Sequence, residues 1–247
     1  MSKPGQIEVI AHRGGREWAP ENSMSAFKKS VAAGVDGIEF DIQRCKSGQL
    51  VVCHDEDIDR TANGTGLIKD MTLSELQMFD LGPKFGAGFE HERIPALVDL
   101  LKMVDGKLET NIEIKNSPVG YPGIEEDLLK LLVDYPYPDK VVISSFDHNC
   151  LQRISARTHK YRLALLMDCL IYDLPGYAKK VGTQNWHPEF GGLREDSVKA
   201  AHDAGLTVNA WTVNGEKNWQ AAKDMKLDGI ITDDPEGLQR FLQKNSD

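Results

Sequence analysis

Hydrophobic and polar positions along the chain switch repeatedly between two periods. Apolar residues at every second position predict strands, and apolar residues three and four positions apart predict amphipathic helices. The predicted strands span residues 7–11, 35–43, 110–115, 141–145, 162–166, 183–186, 206–211 and 229–232. The predicted helices span residues 24–33, 96–104, 123–134, 147–157, 174–181, 194–204, 216–225 and 235–243. Strand and helix therefore alternate along nearly the whole chain.

Such alternation predicts a parallel sheet covered by helices. The pattern makes eight strand–helix units when the short extended stretch at residues 50–54 is counted as an extension of the second strand. Eight units predict a closed (β/α)8 TIM barrel. We expect residues 1–247 to form one such domain, with a small insertion after the second strand at about residues 55–93. Within the insertion we predict a helix at residues 72–80, where Thr72 and Glu75 suggest a capping box.

Composition and charge narrow the classes of function. The chain has 247 residues and a formal net charge of -9, which argues against general binding to nucleic acid or to an anionic membrane. Neither a membrane-spanning apolar run nor an apolar signal region is recognisable, so we expect a cytoplasmic protein without stable membrane association. The four cysteines lack Cys-x-x-Cys spacing and are expected as reduced, mostly buried thiols rather than as a zinc or redox site.

Charged residues cluster where three predicted strands end. The strings are Ala11-His12-Arg13-Gly14-Gly15, Gly37-Ile38-Glu39-Phe40-Asp41 and Asn111-Ile112-Glu113-Ile114-Lys115. Alternate side chains of a strand share a face, so Glu39 and Asp41 lie together, as do Glu113 and Lys115. Acidic side chains inside a barrel are costly to bury unpaired, and we therefore expect a cation at the end of the barrel where they meet.

The residue types predict phosphoryl chemistry at that end. Three carboxylates without a thiolate form an all-oxygen site, which prefers Mg²⁺, Ca²⁺ or Mn²⁺ to zinc. Arg13 and Lys115 could clamp a phosphate, since arginine offers a planar fork and lysine a point charge. His12 and His54 could accept and donate a proton near neutral pH. Together these groups fit displacement at phosphorus.

The sequence also resembles the glycerophosphodiester phosphodiesterase family, of the bacterial cytosolic type, over nearly its whole length. The matching strings are His12-Arg13-Gly14, Pro20-Glu21-Asn22, Glu39-Phe40-Asp41, His54-Asp55, Asp59-Arg60-Thr61, Ile112-Glu113-Ile114-Lys115, Ser144-Ser145-Phe146, Trp211-Thr212-Val213-Asn214 and Asp228-Gly229-Ile230-Ile231-Thr232-Asp233-Asp234-Pro235. Each string alone is weak, but the set in this order is highly specific. Ser23 stands where the family commonly has Thr, which keeps a capping hydroxyl.

The resemblance implies a barrel enzyme that cleaves deacylated phospholipids, such as glycerophosphocholine, to an alcohol and glycerol 3-phosphate. The implied metal ligands are Glu39, Asp41 and Glu113, the implied acid–base pair is His12 and His54, and the implied phosphate ligands are Arg13 and Lys115. A cyclic phosphate formed by attack of the glycerol hydroxyl is the mechanism usually proposed for the family. Direct attack by water remains an alternative, and the two histidines could exchange roles.

Several of these residues also have structural interpretations. His12 could be a core histidine, and Lys115 could simply pair with Glu113. Trp211 could fill the barrel, although a wall against the substrate's alcohol group is slightly favoured. For His187 we favour a structural role in a loop. Asp233 and Asp234, before Pro235, are expected as the N-cap region of the last helix.

Two other functions stay open. The enzyme could act on lysophospholipids or on other phosphodiesters, as a lysophospholipase D or a sphingomyelinase-like enzyme does, and an exposed apolar rim on the insertion would favour this. The absence of a basic amphipathic stretch that would seek a membrane argues against it. Alternatively, the chain could be a non-catalytic sensor of phospholipid headgroups, since a fold alone does not fix function.

Overall fold

The computed structural model describes residues 6–245 and contains a nine-stranded sheet. Its strands are β1 (Glu8–Ala11), β2 (Gly37–Arg44), β3 (Leu50–Val52), β4 (Glu109–Ile114), β5 (Val141–Ser145), β6 (Arg162–Met167), β7 (Asn185–Pro188), β8 (Thr207–Ala210) and β9 (Gly229–Thr232). Its helices are α1 (Met24–Ala33), α2 (Leu73–Leu76), α3 (Gly82–Phe85), α4 (Leu97–Val104), α5 (Ile124–Leu132), α6 (His148–Ser155), α7 (Leu174–Val181), α8 (Glu195–Asp203), α9 (Glu216–Asp224) and α10 (Pro235–Lys244). Short 3₁₀ helices lie at His12–Gly14, Ile68–Asp70, Pro138–Lys140 and Phe190–Gly192.

Eight of these strands close a parallel barrel, as the alternation predicts. The order runs β1, β9, β8, β7, β6, β5, β4, β2, and the pairing of β1 with β2 closes the ring. All eight pairs of neighbouring strands around this ring are parallel. Because parallel strands all end at the same edge, the residues that follow them meet around one mouth.

The stretch at residues 50–54 is not an extension of the second strand, and that interpretation is wrong. A turn at Cys45–Gln49 reverses the chain, since the amide of Cys45 donates to the carbonyl of Gln49 and the amide of Gly48 donates to the carbonyl of Cys45. The chain then returns as β3, which pairs antiparallel with the far end of β2 and stays outside the barrel. The barrel count of eight is unaffected, because β2 itself supplies the second barrel strand.

The main core lies between the barrel and the surrounding helices. Outward-facing side chains of the strands, such as Ile38, Phe40 and Ile112, are fully buried there. Their inward-facing neighbours on the same strands are polar or small, which follows from the two-residue period of a strand. Burial of the apolar face therefore fixes the register that turns Glu39 and Asp41 inward.

A second, smaller hydrophobic core joins the insertion to the chain on either side of it. Five of its residues belong to the insertion, namely Ile58, Ala62, Ile68, Leu76 and Leu81, and the other four are Cys45, Val51, Cys53 and Ile94. The capping box of Thr72 and Glu75 is present, as predicted. The helix that it starts ends at Leu76 rather than at residue 80, and a second short helix, α3, follows.

Other element boundaries shift by a few residues. The sixth barrel strand, β7, begins at Asn185 rather than at residue 183, because the hydroxyl of Thr183 accepts from the amide of Asn185 and holds a turn there. The strand then continues to Pro188. Within residues 6–245 we find no helix with the length and apolar character needed to span a membrane.

Candidate active site

Most candidate side chains lie either within a barrel strand or directly after one. The residues that immediately follow β1, β4, β8 and β9 are His12, Lys115, Trp211 and Asp233. Glu39 and Asp41 belong to β2, and Glu113 belongs to β4. The structure thus brings together at one mouth the side chains that the sequence places far apart.

The β1–α1 connection depends on a close turn. Arg13 has a left-handed backbone (φ 49°), and Gly15 follows with φ 95°. A Cβ at Gly15 would lie 2.3 Å from the indole nitrogen of Trp18, so a side chain has no room there. The indole donates to the carbonyl of Gly14 at 2.7 Å and locks the turn. The turn aims the Arg13 amide at Glu39 Oε2, 3.1 Å away.

Three buried carboxylates form the centre of the mouth. Asp41 pairs in register with Glu113, and Glu39 lies one inward position below Asp41. Ligand oxygens of the three residues lie within 4.8 Å of one another. Burial raises the pKa of Glu39 well above its usual value and raises the pKa of Glu113 to about 7. The charge of the neighbouring Asp41 is the second largest cause for both residues. This cluster is electrostatically costly without a compensating positive charge.

Two cationic side chains, Lys115 and Arg13, lie beside the carboxylate cluster. Lys115 Nζ lies 2.8 Å from Glu113 Oε1 and 3.7 Å from Asp41 Oδ1, and Arg13 Nε lies 3.5 Å from Asp41 Oδ2. Burial would raise the pKa of Asp41, but the charges of Arg13 and Lys115 outweigh burial and hold this pKa below its usual range. The ion pair of Lys115 with Glu113 is therefore present, as one interpretation expected.

The site suits a hard divalent cation. Asp41 Oδ1 is buried and has no hydrogen-bond partner, although the amide of Asn22 donates to the other oxygen, Oδ2, at 2.9 Å. An orphaned carboxylate oxygen at the meeting point of three carboxylates is the environment that Mg²⁺ or Ca²⁺ prefers. Glu39, Asp41 and Glu113 would hold such an ion.

His12 is held by Asp233, which corrects the N-cap interpretation of that residue. His12 Nδ1 lies 2.6 Å from Asp233 Oδ1, and His12 Nε2 lies 4.0 Å from Glu39 Oε2. The amide of Asn214 donates to Asp233 Oδ2 at 2.8 Å. Asp234 alone caps the last helix, where it accepts from the amide of Gly237. Sequence spacing could not show this contact, because it joins residues 221 positions apart.

His54 is held in a comparable way by the residue that follows it. Its Nδ1 lies 2.6 Å from Asp55 Oδ1, and Asp55 Oδ2 accepts from Arg60 Nε at 2.6 Å. Burial is the largest influence on both histidines and lowers the pKa of His12 and of His54. Both rings are thus favoured as neutral imidazoles with one nitrogen committed to a carboxylate.

Gln43 fixes the turn that carries His54, a role for which no sequence pattern is a signal. Its amide nitrogen donates to the carbonyls of Cys53, His54 and Asp55. Its oxygen accepts from the hydroxyl of Tyr121 at 2.8 Å. The amide of Cys53 also donates to the carbonyl of Asp41, which ties this turn to β2.

Glu21 gathers three arginines at the rim. It accepts from Arg13 Nη1 at 2.7 Å, from Arg16 Nε at 3.1 Å and from Arg60 at 2.8 Å through both terminal nitrogens. Burial would raise the pKa of Glu21, but the hydrogen bonds and charges of Arg60 and Arg13 lower it to about 2. Arg60 belongs to the insertion, so Glu21 connects the insertion to the barrel mouth. Arg16 and Arg60 were not recognised as site residues from the sequence.

Trp211 forms part of the mouth wall. Its indole nitrogen donates to the carbonyl of His187 at 2.8 Å, and its ring meets the ring of Phe146 edge to face at 5.6 Å. The peptide bond between Trp211 and Thr212 is cis. His187 is buried inside the barrel and has a structural place, as expected, although it lies in β7 rather than in a loop.

Comparison with known proteins gives consistent matches. The model of the glycerophosphoryl diester phosphodiesterase family matches residues 12–237. A glycerophosphodiester phosphodiesterase of Caldanaerobacter subterraneus subsp. tengcongensis is 40% identical over 96% of this chain and 98% of its own. A glycerophosphodiester phosphodiesterase of Bacillus altitudinis is 36% identical, with the same coverage of 96% and 98%.

Solved structures share the fold. A phosphodiesterase of Oleispira antarctica, solved in complex with the product sn-glycerol-3-phosphate, superposes with a TM-score of 0.88 at 24% identity and covers 96% of both chains. A glycerophosphodiester phosphodiesterase of Agrobacterium tumefaciens superposes with a TM-score of 0.82 at 25% identity and covers 95% of this chain and 100% of its own.

Proposed function

Because the chain belongs to the glycerophosphoryl diester phosphodiesterase family and is a glycerophosphodiester phosphodiesterase, we propose how its residues work. It hydrolyses soluble glycerophosphodiesters to an alcohol and sn-glycerol 3-phosphate. His12 and His54 act as the acid–base pair around one divalent cation held by Glu39, Asp41 and Glu113. The sn-glycerol-3-phosphate bound by the Oleispira antarctica protein, which shares the fold, supports this choice of product.

The observation that carries the proposal is the juxtaposition of a carboxylate triad with two braced histidines. The triad is buried and its oxygens lie within 4.8 Å of one another. Each histidine commits Nδ1 to an aspartate at 2.6 Å, which leaves Nε2 as the nitrogen available to a substrate. One of these imidazoles in its neutral form can accept a proton at Nε2 and the other in its protonated form can donate one, so two such rings beside a cation site meet the needs of acid–base catalysis at phosphorus.

Arg13 and Lys115 bind and orient the phosphate in this proposal. Arg13 Nε is buried and has no hydrogen-bond partner, so a donor remains for a phosphate oxygen. Lys115 Nζ lies between Asp41 and Glu113 and presents its charge at the same point. Both groups stabilise the negative charge that grows on the phosphoryl oxygens during displacement. The bound cation would supply Lewis-acid polarisation of the phosphoryl group there, with Mg²⁺, Ca²⁺ and Mn²⁺ all compatible with oxygen ligands.

The proton transfers are divided between the two histidines. One Nε2 removes the proton from the attacking hydroxyl, which belongs either to the substrate's own glycerol or to water. The other histidine is protonated at both ring nitrogens, with Nδ1–H held by its aspartate, and its Nε2 gives a proton to the departing alkoxide. If the glycerol hydroxyl attacks first, water then opens the cyclic phosphate to glycerol 3-phosphate, with the two histidines in reversed roles. The two histidines can be exchanged in these roles, because both rings carry a carboxylate on Nδ1 and both pKa values are lowered by burial.

The test is an assay of products with a panel of substrates. Glycerophosphocholine, glycerophosphoethanolamine and lysophosphatidylcholine are each offered with Mg²⁺, with Ca²⁺ and after chelation. We expect release of glycerol 3-phosphate from the first two substrates, only with a metal, and no release of choline with lysophosphatidic acid from the third. The insertion exposes Met78 and Phe85, so the lysophospholipid is a necessary comparison. Preferred turnover of lysophosphatidylcholine would replace the proposed substrate class, and full activity after chelation would refute the metal dependence.

A further inference from the structure

The mouth has two chemically different halves. The candidate cationic groups, Arg13 and Lys115, follow β1 and β4. The residues that directly follow β5, β6, β7 and β8 are, in order, Phe146, Asp168, Glu189 and Trp211. This second half is therefore aromatic and acidic, and none of these four strands is followed directly by a lysine or an arginine.

A cavity of about 490 Å³ opens in this second half. It lies between the loops that follow β5 and β6, and its lining includes Phe146, Met167, Asp168, Ile171 and Tyr177. The phosphate site is adjacent, because Phe146 comes two residues after Ser144, which pairs in register with Glu113. The ring of Phe146 is 42% exposed, and its edge-to-face contact with Trp211 joins the cavity to the mouth.

The acidic and basic side chains around the cavity lie at different distances from the barrel mouth. Within residues 6–245, Asp168 makes no hydrogen bond or ion pair through its side chain, and it is exposed where β6 ends. Asp173 also lies at the mouth, where it caps α7 by accepting from the amide of Gly176. Lys180 lines the cavity from the last turn of α7, about 9 Å further along that helix from its first residue. The acidic groups thus lie nearer the barrel mouth than Lys180 does.

We propose that this cavity is a subsite for a leaving alcohol that carries an ammonium group. The inference rests on the proposed function, which places the scissile phosphate beside Lys115. An ammonium group is attracted to the faces of aromatic rings and to an unpaired carboxylate, and Phe146, Tyr177 and Asp168 supply these features. A neutral alcohol gains neither contribution. The volume also admits a methylated ammonium, which is larger than a primary amine.

The experiment compares two substrates that differ in the charge of the alcohol. The value of kcat/KM is measured for glycerophosphocholine and for glycerophosphoglycerol, and the ratio of the two values is the readout. We expect the ratio to exceed one in the wild type. Asp168→Asn and Phe146→Leu should each lower it about fivefold, the effect of one partly exposed cation contact. Asp203→Asn on α8, which removes an exposed carboxylate that pairs with Lys199, is the matched control and should leave the ratio unchanged.

The outcomes separate this inference from the function on which it rests. The subsite is overturned if the ratio in Asp168→Asn and in Phe146→Leu is as high as the ratio in Asp203→Asn. Hydrolysis of both substrates would in that case still uphold the function. Asp168→Asn changes an exposed side chain without internal partners, so it tests the subsite even if Phe146→Leu disturbs the wall. Absence of turnover with both substrates in the folded wild type would overturn the function and the subsite together.

Discussion

At the scale of single residues, the two histidines are held by different surroundings. Asp233 holds His12 with support from the amide of Asn214, whereas Asp55 holds His54 with support from the guanidinium of Arg60. The near-identical Nδ1 distances give both rings one free nitrogen. This common geometry leads to the same prediction for both residues.

We expect His12→Ala and His54→Ala each to lower kcat by a factor of about 10² to 10⁴, the usual contribution of a general acid or base. Neither ring belongs to the apolar core, so the thermal unfolding midpoint should change little. The measurement is kcat for glycerophosphocholine, with circular dichroism as the control for folding. Wild-type kcat in either variant would remove that histidine from the catalytic pair.

We expect His187 to make the stability of the folded protein depend on pH, and we give it no part in catalysis. Burial lowers its pKa to about 3, whereas the unfolded chain has a histidine pKa of about 6.5. Between these values the unfolded state binds a proton that the folded state does not bind. The stabilisation by the neutral ring is therefore present above pH 6.5 and is lost as the pH falls toward 3.

Urea unfolding of the wild type and of His187→Gln at pH 7 and pH 5 measures this effect. From pH 7 to pH 5, we expect the free energy of unfolding to fall by about 2 kcal/mol more in the wild type than in the variant. This figure corresponds to the 1.5 pH units between pH 6.5 and pH 5, over which only the unfolded state binds the proton. Other titrating groups are common to both proteins and cancel in the comparison. An equal fall in both would show that His187 is not the source.

At the scale of elements, the insertion depends on one close backbone approach. A Cβ at Gly82, the first residue of α3, would lie 1.9 Å from the carbonyl oxygen of Phe89. The amide of Leu81 donates to the carbonyl of Glu92 and holds the two segments together. A side chain at position 82 therefore forces these segments apart without touching the barrel.

We expect Gly82→Ala to open residues 82–92 to limited proteolysis while the barrel stays folded. Gly120→Ala is the matched control, because a Cβ there meets no atom within 4 Å. Cleavage sites mapped by mass spectrometry at several protease concentrations would provide the measurement. Equal resistance of the two variants within residues 82–92 would contradict the packing described here.

The sequence predicts an element correctly where one hydrophobic period continues along the whole element. The prediction fails where local hydrogen bonds reverse the direction of the chain. The helix at residues 24–33 has its predicted bounds and begins after the Ser23 cap. The stretch at residues 50–54 was misread because extended conformation does not reveal strand direction. The turn bonds of Cys45 and Gly48, which reverse the chain, are visible only in the structure.

At the scale of the whole molecule, alternation along the sequence was sufficient to predict the barrel. The same regularity placed Glu39, Asp41 and Glu113 together, because all three face inward and Asp41 pairs in register with Glu113, which lies near the end of β4. It could not reveal which side chains meet across the mouth from distant parts of the chain. Asp233 and Arg60 were missed for this reason, since their contacts with His12 and Glu21 join different connections.

The central claim is that a cation held by the three carboxylates activates the phosphodiester. The most direct test is a metal titration of the rate of glycerol 3-phosphate release from glycerophosphocholine by chelated wild type and by Glu39→Gln, with Mg²⁺ and with Ca²⁺. We predict a rate that is near zero without metal, that rises to saturation in the wild type, and that needs much more metal or stays low in the variant. A full rate in the chelated wild type, or the same titration curve for both proteins, would contradict the account.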